Sequence, residues 1–121
     1  MAKLDQIGIY VNNLEKSVDF YKDLFCFEIV DEFTSGEAKI ATLDMCGGLL
    51  ELVQRPGSPG TPPEGNWSHI AIFVPEFDDI IAKLDTKNIE KRLTTMSNGN
   101  RLCFINDLDG HTVEIMEHGF R

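Results

Sequence analysis

Residues 5–11 (DQIGIYV) alternate, with Ile7, Ile9 and Val11 on one side and Gln6, Gly8 and Tyr10 on the other, a period of two that predicts a β-strand. Asn13 is a strong helix N-cap. Leu14, Val18, Tyr21 and the pair Leu24/Phe25 then fall at helical spacing, so a helix is predicted over 14–25. Strands are predicted at 27–34, 38–45 and 49–54, divided by the turn residues SGE and CGG. Residues 55–66 (RPGSPGTPPEGN) hold four of the five prolines and three glycines, so they read as a linker and not as the interior of an element. The pattern then begins again. A strand is predicted at 67–74, a helix at 77–88 with Phe77, Ile80, Ile81 and Leu84 on one face, and strands at 89–96, 101–106 and 111–117 with turns at 97–100 and 107–110.

The second half repeats the first at a fixed distance. Gln6 of QIGIYV and His69 of HIAIFV are 63 positions apart, and so are Glu51 of LELV and Glu114 of VEIM. Gly36 and Gly99, and Gly47 and Gly110, keep the same 63-residue offset. Four coincidences in one register indicate a duplicated unit. The predicted architecture is α+β, one domain over 1–121 made of two tandem βαβββ modules, 5–54 and 67–117, joined by the linker 55–66.

A chain of 121 residues can bury roughly two-thirds of its unfolded surface, enough for a core. Acidic residues outnumber basic ones 20 to 11, for a net charge of −9, and the acids divide evenly, ten in residues 1–63 and ten in 64–121. Nucleic acid and anionic membrane surfaces are excluded as partners, since both need clustered Lys and Arg. No apolar run approaches the roughly 20 residues of a membrane span, and MAKLDQIGIYV has no signal-peptide pattern. Cys26, Cys46 and Cys103 are odd in number and follow no metal-ligand spacing, which fits a reduced, cytoplasmic chain; each is expected as a small buried hydrophobe and not as a nucleophile.

The repeat singles out four polar residues. Gln6, Glu51, His69 and Glu114 sit in the first and last strands of the two modules, on the side opposite the large aliphatics. Two carboxylates, one imidazole and one amide oxygen form a donor set that suits a divalent cation, which would also remove the cost of burying two carboxylates. The competing reading is a solvent-facing Glu on an open sheet and a core His satisfied by hydrogen bonds. The symmetric register favours the metal.

These residues carry a family resemblance over nearly the whole chain. DQIGIYVNNLEKSVDFYKDLFCFE, GLLELVQ, WSHIAIFV and NDLDGHTVEIME resemble the vicinal oxygen chelate superfamily of glyoxalases, bleomycin-resistance proteins and extradiol dioxygenases. Glyoxalase I enzymes place His or Gln, Glu, His and Glu at the positions of Gln6, Glu51, His69 and Glu114, whereas dioxygenases and fosfomycin thiol-transferases resemble a two-His, one-Glu set. The resemblance to glyoxalase I (lactoylglutathione lyase) implies one divalent metal per site, Ni or Zn, held by Gln6, Glu51, His69 and Glu114. It implies a substrate that is the hemithioacetal of a 2-oxoaldehyde such as methylglyoxal and a thiol, isomerised to a 2-hydroxyacyl thioester through a cis-enediolate. Glu114 takes the role of catalytic base, and Glu51 that of a proton shuttle on the opposite side.

The resemblance further implies a homodimer whose sites are shared between subunits; a site within one chain is the alternative that the same linker permits. Three departures bear on the thiol: Tyr10 stands where relatives that use glutathione carry an Arg, Arg55 stands where they carry an Asn, and the Arg they often carry shortly before the second-module His has no counterpart in PEGNW. A fourth concerns the helix end, where Cys26 replaces the glycine of the family's Leu-Gly-Phe and must itself take the left-handed conformation. The alternative function is a small-molecule binding module without turnover, its cleft lined from Tyr10, Phe33, Trp67, Phe73, Met45, Met96 and Met116, residues more often found as plain core at such spacings. Another metal-dependent epimerase or isomerase of the same superfamily is a further alternative.

Overall fold

The computed structural model of the chain describes residues 4–57 and 68–119. Its contacts divide the chain into two compact units, residues 1–62 and 63–121. Of the expected linker 55–66, residues 58–66 lie outside the described residues, as does Trp67.

The first unit runs β1 (Gln6–Tyr10), α1 (Leu14–Phe25), β2 (Glu28–Ser35), β3 (Ala38–Asp44) and β4 (Leu49–Gln54). The second runs β5 (Ile70–Phe73), α2 (Phe77–Thr86), β6 (Arg92–Thr95), β7 (Arg101–Asn106) and β8 (Thr112–Met116). Each unit is one four-stranded sheet, ordered β1-β4-β3-β2 and β5-β8-β7-β6. The first and last strands pair in parallel, and the rest antiparallel. Two βαβββ modules are therefore present, with equivalent topology.

Local sequence explains the helix ends. The Asn13 side chain accepts from the Lys16 amide at 3.0 Å, capping α1. Cys26 ends the helix at φ 59° and ψ 29°, and its amide donates to the Lys22 carbonyl at 2.9 Å. A left-handed Cys is mildly strained, since only glycine enters that region without a Cβ penalty. The second helix stops two residues earlier than its 77–88 pattern predicts: Asn88 adopts φ 55°, and the strand expected from 89 begins only at Arg92.

The core of the first unit forms where α1 covers the sheet. Leu14, Val18, Tyr21 and Leu24 of α1, Ala41 and Leu43 of β3, and Leu50 and Leu52 of β4 are all buried, with Ile9 and Val11 of the first strand region. In the second unit α2 buries Phe77, Ile80 and Leu84. Arg101 of β7 holds the start of α2: its guanidinium lies 4.8 Å from the Phe77 ring centroid, 2.9 Å from an Asp78 carboxylate oxygen and 2.6 Å from a Glu117 one. Hydrogen bonding to Glu117 first and Asp78 second pushes the Arg101 pKa further up, and the same contact holds Glu117 below the usual carboxylate range. Leu52 is fully buried next to Glu51 in β4. Leu52→Ala should lower the unfolding free energy by about 2–5 kcal/mol, read from urea denaturation.

The 63-residue offset is kept by the helix starts (Leu14, Phe77) and by the last strands (Leu49, Thr112), but not by the third-strand pairing. The turn from β3 to β4 has four residues, 45–48, between the paired Asp44 and Leu49, whereas that from β7 to β8 has five, 107–111, between Asn106 and Thr112. The extra residue slides β7 by one, so Thr42 stands opposite Glu51 but Phe104, not Ile105, stands opposite Glu114. A one-residue slip reverses which side chains face which side of a sheet. The glycine pairs follow suit. Gly36 and Gly99 are both left-handed at φ 58° and 87°, and Gly110 takes 88°, but Gly47 has no positive φ and its neighbours Cys46 and Gly48 do. None of the described helices is long and apolar enough to cross a membrane.

Candidate metal centre

Both halves of the four-residue set are paired within their own unit. Gln6 opens β1 and Glu51 lies in β4, where the parallel register sets Gly8 directly beside Glu51. The Gln6 amide nitrogen Nε2 donates to Glu51 Oε2 at 3.3 Å. In the second unit His69 Nε2 lies 3.2 Å from Glu114 Oε2. His69 falls one residue before β5, so it leads into the strand and is not inside it as the alternation predicts. Ala71 is the residue beside Glu114, matching Gly8 beside Glu51 at the 63-residue offset. The structure thus brings together Gln6 with Glu51, and His69 with Glu114.

The four differ in exposure. Gln6 and His69 are exposed and Glu51 half-buried, but Glu114 retains only 7% of its surface. A carboxylate so buried must be paired, and His69 is the partner the structure gives it. Each pair by itself offers donor types that suit a divalent cation: carboxylate and amide oxygens from Glu51 and Gln6, a carboxylate oxygen and an imidazole nitrogen from Glu114 and His69. Gln6 offers its carbonyl oxygen as a donor only after an amide flip, since its Nε2 faces Glu51.

The surrounding sheet faces are partly apolar and open. Tyr10, Phe33 and Phe73 are exposed, contrary to their expected role as plain core, whereas Met116 is buried. Tyr10 and Phe33 share the Glu51 side of the first sheet, and Phe73 the Glu114 side of the second. The Arg55 guanidinium lies 5.9 Å from the Tyr10 ring centroid, which occupies it with an aromatic face. Beside Glu114, Phe104 carries Arg92 at 5.5 Å from its ring centroid. The Arg92–Phe104 pair escapes the sequence, because the slipped β7 register is not visible in it.

A second group of ligand-type atoms lies in and just after the turn predicted over 107–110. Asp107, Asp109 and His111 are buried, with one ligand-type atom from each lying within 4.8 Å of the others. Asp107 Oδ1 accepts from the backbone amides of Asp109 at 3.0 Å and His111 at 2.9 Å, and the His111 ring nitrogen Nδ1 lies 2.9 Å from Oδ2. A carboxylate so engaged closes the five-residue turn and pairs a buried histidine; a cation there would compete with those hydrogen bonds. The D-x-D-G-H spelling holds the signal, since Asp109 before Gly110 is a turn former and His111, four residues on from Asp107, can reach it.

The cysteines divide. Cys103 is buried, as expected, and burial pushes its thiol pKa up, which disfavours a nucleophilic thiolate. Cys26 and Cys46 are exposed, correcting the expectation of buried hydrophobes: both stand at left-handed positions outside the strands, where the chain turns at the surface.

Comparison with known proteins agrees with this architecture. A family model described as the Glyoxalase/Bleomycin resistance protein/Dioxygenase superfamily matches residues 3–115. The protein YwbC of Bacillus subtilis, which is uncharacterised, is 33% identical over 97% of this chain and 99% of its own length. A lactoylglutathione lyase of Pseudomonas putida is 28% identical over 88% of this chain and 80% of its own. Among solved structures, an E126Q mutant of the fosfomycin resistance protein FosX from Listeria monocytogenes, complexed with Mn(II) and a dihydroxypropylphosphonic acid, superposes with a TM-score of 0.80. It is 20% identical and covers 99% of this chain and 93% of that one, a likeness of fold.

Proposed function

Since the chain belongs to the glyoxalase/bleomycin resistance protein/dioxygenase superfamily, we propose that it is a metal-dependent, glyoxalase I-like lyase acting on the hemithioacetal of a 2-oxoaldehyde and a thiol in the cytoplasm. Members of this superfamily bind small-molecule substrates and divalent metals. The observation that most supports the reading is the pairing of Gln6 with Glu51 and of His69 with Glu114 at equivalent places in two equivalent modules. The 28% identity to a lactoylglutathione lyase supports the same class.

In this reading Gln6, Glu51, His69 and Glu114 hold one divalent ion, Ni or Zn. When bound, the ion supplies Lewis-acid stabilisation for negative charge on two adjacent substrate oxygens. Glu114 removes the proton from C1 of the hemithioacetal and returns it to C2. Its burial keeps bulk water from exchanging that proton, and His69 orients its carboxylate. Glu51, more open to solvent, serves the opposite side of the substrate. The test is an assay of methylglyoxal consumption over a panel of thiols and of divalent metals including Ni and Zn. No thioester from any combination would sink the proposal.

Glutathione is a poor cosubstrate in this proposal. Tyr10 has no cation to offer its carboxylates, and Arg55 is engaged with the Tyr10 ring. Catalytic efficiency with the glutathione hemithioacetal should therefore fall at least tenfold below that with the best thiol of the panel, about 1.4 kcal/mol of transition-state binding. Equal efficiencies would show that the Tyr10 and Arg55 substitutions carry no specificity.

A binding module without turnover is the second reading, favoured by the exposed Tyr10, Phe33 and Phe73 on the two ligand-bearing sheet faces. Metal content of the purified protein separates the two: stoichiometric Ni or Zn supports the enzyme.

A further inference from the structure

We propose that Gly8 is a positioning residue: having no side chain, it lets Glu51 lay its carboxylate along β1 beside Gln6, and so sets the metal affinity of that half of the site. The inference rests on the metal reading of Gln6, Glu51, His69 and Glu114.

Gly8 sits in the interior of β1, where glycine weakens a strand and is unusual without a reason. Backbone conformation is not the reason, for Gly8 is not among the described glycines with positive φ. Its neighbour supplies one. Gly8 stands directly beside Glu51 in the parallel register. A Cβ at position 8 would lie 3.2 Å from Glu51 Oε1 and 4.0 Å from its Cβ. The other carboxylate oxygen, Oε2, accepts from Gln6 Nε2 at 3.3 Å. Residues 6 and 8 point to the same side of the strand, so the carboxylate spans both, with one oxygen against each. A methyl group at position 8 pushes Oε1 away and draws Oε2 off Gln6. Metal–carboxylate bonds of about 2.0–2.2 Å tolerate displacements of only about 0.2 Å, so a shift of a few tenths of an ångström is felt at the ion.

The second module supplies an internal control. Ala71 occupies the equivalent place beside Glu114, whose carboxylate meets His69. A Cβ is tolerated there, so the requirement for glycine belongs to Glu51 and not to the module.

The experiment measures thermal stability and Ni²⁺ binding by calorimetry on the full chain carrying Gly8→Ala, Ala71→Gly or Glu51→Gln. The expected result has opposite signs. Gly8→Ala melts at or above the wild-type temperature, because alanine restricts the unfolded chain, yet binds Ni²⁺ about tenfold more weakly, as when a supporting contact of a ligand is lost. Ala71→Gly melts lower and binds Ni²⁺ like wild type. Wild-type Ni²⁺ affinity in Gly8→Ala, with binding lost in Glu51→Gln, overturns the role of Gly8 and leaves the metal site standing. Wild-type affinity in Glu51→Gln removes the premise and both readings with it. Stability and affinity falling together in Gly8→Ala also overturns the proposal, since loosened packing then accounts for both.

Discussion

Glu114→Gln should lower kcat by roughly 10²–10⁴-fold, the usual contribution of a positioned general base, and by more if the metal is lost with it. Glu114 is the only one of the four proposed ligands that is buried, and the imidazole of His69 lies 3.2 Å from it. The amide of Gln keeps the shape of the side chain and one oxygen but cannot take up a proton, so the substitution separates base chemistry from packing. Glu51→Gln and His69→Ala report on the metal: each should reduce the Ni or Zn content of the purified protein, because a metal site loses affinity steeply when a charged or nitrogen ligand is removed. The two readouts divide the roles. Wild-type metal content in Glu114→Gln with lost turnover assigns it the proton. Full turnover of Glu114→Gln in protein stripped of metal would rule out both the base and the metal centre.

Much of this architecture is legible in the chain because its signals are local. Alternation in QIGIYV, helical spacing from Leu14 to Phe25, the Asn13 cap and the turn glycines act over a few residues, and the observed elements fall where they predict. The duplication makes the two equivalent pairs legible too, since a 63-residue offset shared by Gln6 with His69 and by Glu51 with Glu114 needs no knowledge of packing. What escaped depends on pairing between distant strands. The Phe104–Glu114 neighbourhood is decided by one extra residue in the turn 107–111, and an offset measured along the chain cannot register that slip. The space that Gly8 leaves for Glu51 likewise exists only once β1 and β4 are aligned. The exposure of Cys26 and Cys46 reflects their left-handed turns, which local hydropathy does not report.

Mixing two inactive variants, Glu51→Gln and Glu114→Gln, should restore about a quarter of wild-type activity if the protein is a homodimer with sites shared between subunits. Each unit holds only two of the four proposed ligands, and a metal held by protein ligands usually takes three or four. The proposed four-ligand set therefore draws on one first module and one second module. The first module that completes the set belongs either to the same chain or to a partner. Family members commonly form dimers, which favours the partner. In a heterodimer with shared sites, one site joins the two substituted modules and is dead, while the other joins the two intact modules and works. Random exchange makes about half of the dimers heterodimers, and half of their sites are whole, hence the quarter. Sites confined to one chain give no such gain, because every chain in the mixture carries a lesion. Subunit exchange, followed by native mass spectrometry of differently tagged chains, must be complete before activity is read. Exchange without recovered activity would place each site within a single chain.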